Sequence, residues 1–183
     1  ASVKYRLYSA IWHWVPEDVY YSTWKLEQRR EYLKASSIHA LCKSMLMEYL
    51  PSRFVLCIIQ YTSALDAKAI SSSIRQRILN PTERAKHTKL DIKLASSQDN
   101  DRLTGYLHNA VTPIGMACQD QIPILLSSSI SSSSSGRMYV GGGHQFCKLS
   151  VSIPEFAQKV PNVHIVDIST IRTSYEDTEE DGL

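Results

Sequence analysis

The chain reads as an α/β protein, a single domain in which a mixed β-sheet is surrounded by helices. Three observations predict this. Its 183 residues fit one domain and are enough to bury a core. Apolar runs of strand length alternate along it with segments of helical spacing. The alternation follows no strict βαβ repeat, and no internal repeat is visible, which points to a mixed sheet rather than an all-parallel one.

The elements follow in chain order. Tyr5 to Trp24 is aromatic-rich and irregular, with a turn or helix start at Pro16-Glu17-Asp18; it packs over the edge of a core or, alternatively, stacks on bases. Leu26 to Lys34 is a short amphipathic helix with Leu26, Arg30 and Leu33 on one side. Cys42–Tyr49 and Phe54–Tyr61 are apolar, of strand length, and separated by Leu50-Pro51-Ser52-Arg53, which predicts a hairpin or two adjacent strands. Ala64–Leu79 carries Leu65, Ala69, Ile74 and Ile78 near helical spacing and ends at Asn80-Pro81.

Lys89–Ala95 alternates Leu90, Ile92 and Leu94 against polar residues and predicts a half-buried strand. Ser96 or Ser97 can cap a helix through Leu103, with Gly105 as its stop. Beyond it, Pro123–Leu126 is a short buried strand and Ser127–Ser135 a low-complexity insertion or loop. Met138–Val140 is a strand ending in Gly141-Gly142-Gly143, and Lys148–Ser152 alternates. Pro154–Val160 is a helix with proline in its first turn. His164–Ile168 is a final strand, and the acidic run from Ser174 reads as a tail or linker.

A hydrophobic content of 43% with 21% charged residues describes a soluble globule. No apolar run is long enough for a membrane span and no secretory signal precedes the first structured segment, so a cytoplasmic protein is expected. The four cysteines (Cys42, Cys57, Cys118, Cys147) show no CxxC pair, and no histidines stand at zinc-finger spacing, so buried thiols are expected and no metal site. Formal charge is only +2, but Arg75, Arg77, Arg84, Lys86 and Lys89 cluster between Lys68 and Lys93 while Glu176–Asp181 is acidic. The cluster is either a solvated helix face with a basic loop or a patch for a phosphate-rich partner.

Three stretches carry potential chemistry. In Leu41-Cys42-Lys43-Ser44-Met45 a lysine sits inside an apolar strand. Such a lysine snorkels to the rim, or points into a cavity that holds an anion or carbonyl. In His108-Asn109-Ala110-Val111-Thr112-Pro113, a tight loop can present a row of N–H donors to a carbonyl or ribose oxygen, or simply connect elements. Gly141-Gly142-Gly143-His144 permits close backbone approach to a ligand or absorbs a bend at a strand end. It is not GxGxxG, so a dinucleotide site is not expected. His144 can titrate near neutrality, although a lone histidine is more often structural.

In this order the three stretches resemble the YbaK/prolyl-tRNA-synthetase-associated editing family, with wording closest to eukaryotic members. Cys42-Lys43-Ser44 is similar to the family's AKS/AKT strand, and Leu103–Gly115 to its TGxxxGxxxP-type loop. Gly141-Gly142-Gly143 with Lys148-Leu149 resembles its glycine-rich strand end, and Val166-Asp167-Ile168-Ser169 its VxDIS-like strand. The likeness spans roughly Ile38 to Ser169.

The resemblance implies a YbaK-like fold over 38–173, an N-terminal extension and helix over 1–37, and a tail or linker over 174–183. It also implies an aminoacyl-tRNA deacylase that removes alanine or another small residue from mischarged tRNA for proline without cofactor or metal. The expected partners are that tRNA and, in cis or trans, a prolyl-tRNA synthetase. Lys43 would contact the terminal nucleotide or the ester carbonyl. Asn109, Ala110, Val111, Thr112 and Pro113 would fix the ester, Gly141, Gly142 and Gly143 would line the wall, and His108 and His144 are further binding candidates. Asn109 stands where many bacterial members have glycine, and the serine run where they have a short helix. One alternative is a non-catalytic tRNA-binding or synthetase-associated module of the same fold. Another, an unrelated small-molecule hydrolase or structural domain, would be favoured if Lys43 lay far from the Asn109–Pro113 loop.

Overall fold

The computed structural model describes residues 2–132 and 136–172; the acidic run of 174–183 and part of the serine stretch lie outside them. Its elements are α1 (Ser2–Tyr5), β1 (Ile11–Trp14), α2 (Leu26–Leu33), β2 (Cys42–Leu50), β3 (Arg53–Gln60), β4 (Ser63–Leu65), α3 (Ala67–Arg77), α4 (Pro81–Lys86) and β5 (Lys93–Leu94). They continue through α5 (Ser97–Thr104), β6 (Ile124–Ser127), α6 (Ser128–Ser131), β7 (Arg137–Gly141), β8 (Cys147–Ser152), α7 (Ile153–Lys159), β9 (Val163–Val166) and β10 (Ser169–Ile171).

The main sheet has five strands in the order β5-β2-β3-β6-β9 and is mixed. β2 runs antiparallel to β3 and β5, while β6 runs parallel to β3 and β9. β3 explains its own apolar run. Phe54, Leu56 and Ile58 face one core while Val55, Cys57 and Ile59 face another, so both faces of the strand are buried. The first core lies between the main sheet and a three-stranded antiparallel sheet, β1-β8-β7, with Phe156 of α7 inside it. The second holds Ile70 and Ile74 of α3 against the opposite face. A third, smaller cluster packs Tyr20, Leu26 and Leu33 around Leu41 and Tyr139.

Several local expectations change. The stretch before Trp24 is not irregular throughout, because Ile11–Trp14 pairs with Ser150–Cys147 as an edge strand. In α2 the buried basic residue is Arg29, whereas Arg30 turns outward to Glu27 and Glu31. The segment starting at Ala64 begins as strand: Asp66 caps the helix by accepting from the N–H groups of Lys68 and Ala69, which leaves Ser63–Leu65 to pair with β10. Asn80 and Pro81 open a further helix as well as closing one, Asn80 and Glu83 forming a reciprocal capping box.

The alternation in Lys89–Ala95 reflects packing more than strand pairing. Leu90 is buried in the second core, while only Lys93 and Leu94 pair with β2. The serine run contains ordered structure, since Ser127 ends β6 and α6 follows with Ile130 fully buried. The last predicted strand is β9, which ends at Val166 short of Ile168, and a further strand, β10, follows it. Ser96 and Gly105 cap α5 as expected, Gly105 at φ +76°.

Candidate functional site

Because β5 pairs with β2 only at Met47 and Glu48, the earlier part of β2 borders open space. A cavity of about 270 Å³ lies there, lined by Cys42 to Leu46 on one side. Facing them are His108, Asn109 and Val111 of the loop after α5, Gly141 at the end of β7, Lys148 of β8, and Tyr21, Leu26 and Arg29 of the N-terminal segment. Lys43 therefore neither stands apart from the Asn109–Pro113 loop nor belongs to a different face of the molecule.

The loop is built to hold its shape. Its ends are joined where the N–H groups of Ala117 and Cys118 donate to the carbonyls of Thr104 and Leu103. Tyr106 reaches across to donate to the carbonyls of Ile114 (3.1 Å) and Gly115 (2.9 Å). Gln119 accepts from the N–H of Met116 and donates to the carbonyl of Pro113. Asn109 adopts φ +62°, a left-handed conformation that asparagine tolerates better than most side chains. Asparagine in place of glycine is thus compatible with the turn.

The glycines act by closeness to this loop. A Cβ on Gly141 would lie 2.2 Å from the Val111 carbonyl oxygen, so only glycine lets the end of β7 pass so near the loop backbone. The Gly143 N–H donates to the Ala110 carbonyl and the Gly142 N–H to the Cys147 carbonyl.

The candidate residues divide accordingly. Lys43, His108, Asn109, Val111 and Gly141 line the cavity, whereas Ala110, Thr112, Pro113, Gly142 and Gly143 stand behind that lining. Ala110, Thr112 and Pro113 are buried. The row of donors is shorter than the sequence implied, because the Ala110 N–H is taken by the Leu107 carbonyl at 3.0 Å. His144 lies outside the cavity and is exposed, its ring beside Trp14 and Phe146 at centroid distances of 5.4 and 5.7 Å.

Sequence reasoning missed the other cations. Among the described lining residues, Arg29, Lys43, Lys148 and Arg172 stand against one carboxylate, Asp101. Arg29 and Lys148 are each only 5% exposed. Lys148 carried a signal akin to that of Lys43, a lysine inside a strand, but in an alternating rather than an apolar one. Arg29 is clamped by its bonds to the carbonyls of Trp24 (3.0 Å) and Tyr21 (3.4 Å). By contrast, no member of the basic cluster over residues 68–93 lines the cavity; Arg75 instead bonds the His87 carbonyl just after α4, and Arg84 the carbonyls of Gln76 and Leu79.

Two further groups bear on the chemistry. Burial pushes the Cys42 thiol well above its ordinary range, so it stays protonated and is a poor nucleophile. Ser44 Oγ, on another lining residue, is buried with no hydrogen-bond partner among the described residues. A buried polar atom of this kind normally has a partner.

No protein-family model matches the sequence, and no curated protein matches it either. Solved structures do match the fold. A candidate trans-editing enzyme for prolyl tRNA synthetase aligns with a TM-score of 0.72 at 14% identity, over 93% of this chain and 92% of that one. A hypothetical protein, APE2540, gives 0.67 at 17% identity over 92% and 96% of the two chains. A candidate signal transduction protein from Marinobacter aquaeolei VT8 gives 0.57 at 10% identity, over 92% of this chain but 30% of that one. The chain is a single α/β domain with a mixed five-stranded sheet, and it shares its fold with the first of these proteins over nearly its whole length. Among the described residues no helix is long and apolar enough to cross a membrane.

Proposed function

We propose that the protein is an aminoacyl-tRNA deacylase that releases alanine or a similarly small residue from mischarged tRNA for proline. The observation that carries this reading is the meeting of Lys43 with the Asn109–Val111 turn across one cavity. The likeness in fold to a candidate trans-editing enzyme for prolyl tRNA synthetase supports it.

An aminoacyl ester is already activated, so the site has only to hold the carbonyl, admit water and exclude larger side chains. Lys43 supplies positive charge where the carbonyl oxygen becomes an oxyanion. The N–H groups of Asn109 and Val111, which meet no acceptor among the described residues, are the remaining donors of the turn. Water adds to the carbonyl carbon, the bond to the 3′ oxygen of the terminal ribose breaks, and that oxygen takes a proton. Free amino acid and tRNA result. No covalent enzyme intermediate is invoked, since the cavity's cysteine is held protonated. Arg29, Lys148 and Arg172 suit the negative charge of a nucleotide entering the cavity. Exclusion by size is the second half of double-sieve selection, with small amino acids entering and proline rejected. A prolyl-tRNA synthetase, fused or separate, is the proposed partner.

The test is a panel of mischarged tRNAs assayed for amino-acid release, with Lys43→Ala beside the parent. The expected result is release of a small amino acid from tRNA for proline by the parent. In the variant, kcat should fall by about 10²–10³-fold, the loss typical of one oxyanion donor, while the melting temperature holds. Binding of tRNA without release would instead identify a non-catalytic module. Undiminished turnover by Lys43→Ala would remove Lys43 from the mechanism.

A further inference from the structure

The N-terminal segment lies outside the part of the chain that carries the family-like motifs, yet it supplies one wall of the cavity. Tyr21 is the point of contact. Two cations lie against its ring, Lys148 Nζ at 4.6 Å and the Arg29 guanidinium at 5.3 Å from the ring centroid. Lys148 donates to the Tyr21 hydroxyl oxygen, and that hydroxyl donates in turn to the Asn109 carbonyl at 3.3 Å. An ammonium donating to the phenol oxygen directs the phenol's own proton outward, and outward here means toward the loop.

The position of the accepting carbonyl matters. Asn109 is the residue with positive φ, and its carbonyl oxygen belongs to the peptide whose N–H is that of Ala110. Fixing that oxygen fixes the peptide plane on which the turn pivots. On the other side the same turn is held by the Gly143 N–H donating to the Ala110 carbonyl. The turn is thus gripped from β7 on one side and from the N-terminal segment on the other.

We infer that Tyr21 and Lys148 form a brace that sets the Asn109–Val111 turn for reaction, and that the site is incomplete without the N-terminal segment. Tyr21 is a positioning residue, acting through the loop rather than on the ester. Its catalytic consequence rests on the deacylase reading above, but its mechanical consequence does not.

The test is Tyr21→Phe, which removes one oxygen and leaves the ring against its two cations. Two readouts are taken. Hydrogen exchange at the bonded amides of Ala110 and Gly143 should accelerate, because local opening of the turn becomes easier. In the deacylation assay kcat should fall by roughly 10- to 100-fold with KM little changed, since a displacement of about 1 Å can cost about 10²-fold in rate. Unchanged exchange at both amides overturns the brace. Faster exchange with unchanged kcat overturns its part in the reaction. If the parent releases nothing from any mischarged tRNA, the deacylase reading fails, and exchange still decides the brace.

Discussion

At Gly141 the constraint is absolute distance. The end of β7 passes so close to the Val111 carbonyl that a methyl group has no room, and the obstacle is backbone rather than a movable side chain. Gly141→Ala is therefore expected to push the loop away, lowering stability by about 1–3 kcal/mol, as overpacking does, and reducing deacylation together with it. Urea unfolding and the deacylation assay measure the two effects; a variant that keeps both would show that the approach is looser than the geometry requires. A glycine triplet announces that something comes near, but no residue type says what, and so the loop's backbone as its neighbour was not legible. Lys43 and Lys148 make the complementary point. Each is a lysine inside a strand, yet Lys43 was brought forward as a site residue while Lys148 was read only as part of an alternating strand and of the motif that follows the glycines. Tyr21 was legible only as one aromatic among several, since its role arises from Lys148, far away in sequence.

Among the elements, one carboxylate ties the N-terminal segment to α7. Glu155, in the first turn of α7, accepts from the backbone N–H groups of Tyr8 and Ser9, from the Ser9 hydroxyl and from Lys159. The Ser9 hydroxyl bond first, then Lys159, lowers its pKa to about 2. Because the folded value lies below the unfolded one of about 4.3, its contribution is complete above that pH and is lost as pH falls toward 2. Glu155→Gln is expected to remove this acid limb: parent and variant should differ near neutrality and converge below about pH 2 when unfolding is followed by fluorescence of Trp12 and Trp14. A constant difference across that range would exclude Glu155 as the titrating anchor.

Capping chemistry made other elements easy to read. Ser96 and Gly105 sit at the positions their types favour, whereas Asn80, read as a helix end, also opens α4. The short strand β1 was not legible, because four residues with an exposed edge leave little alternation to recognise. β4 was absorbed into a helix for the opposite reason, its leucine falling on the helical period by coincidence.

At the scale of the whole molecule, the mixed sheet was predictable from apolar runs interleaved with helices, whereas the second, antiparallel sheet was not. Its β7 and β8 form a hairpin, but β1 comes from the far end of the sequence and joins only through its register with β8. The cavity is likewise a product of assembly, drawn from both sheets and from the loop between α5 and β6. Two of the cores share the main sheet as a common wall, Leu126 facing one and Ile59 the other. Leu126→Ala and Ile59→Ala should each cost about 2–5 kcal/mol and shift one common transition. Separate transitions for the two variants in calorimetry would show that the cores melt independently.

The parallel pairing of β3 with β6 carries a consequence for how the chain reaches this state. Leu56 pairs with Ile124, and everything between them, including the Asn109–Val111 turn, forms the connection that must close before the central ladder can zip. Contacts so distant in sequence are entropically costly to close and make folding slow. The turn is thus gathered in as the sheet completes, so changes within it should register in the rate of folding as well as in turnover. A newly made chain thus gains its full sheet and its cavity together, with little opportunity to hold the first without the second.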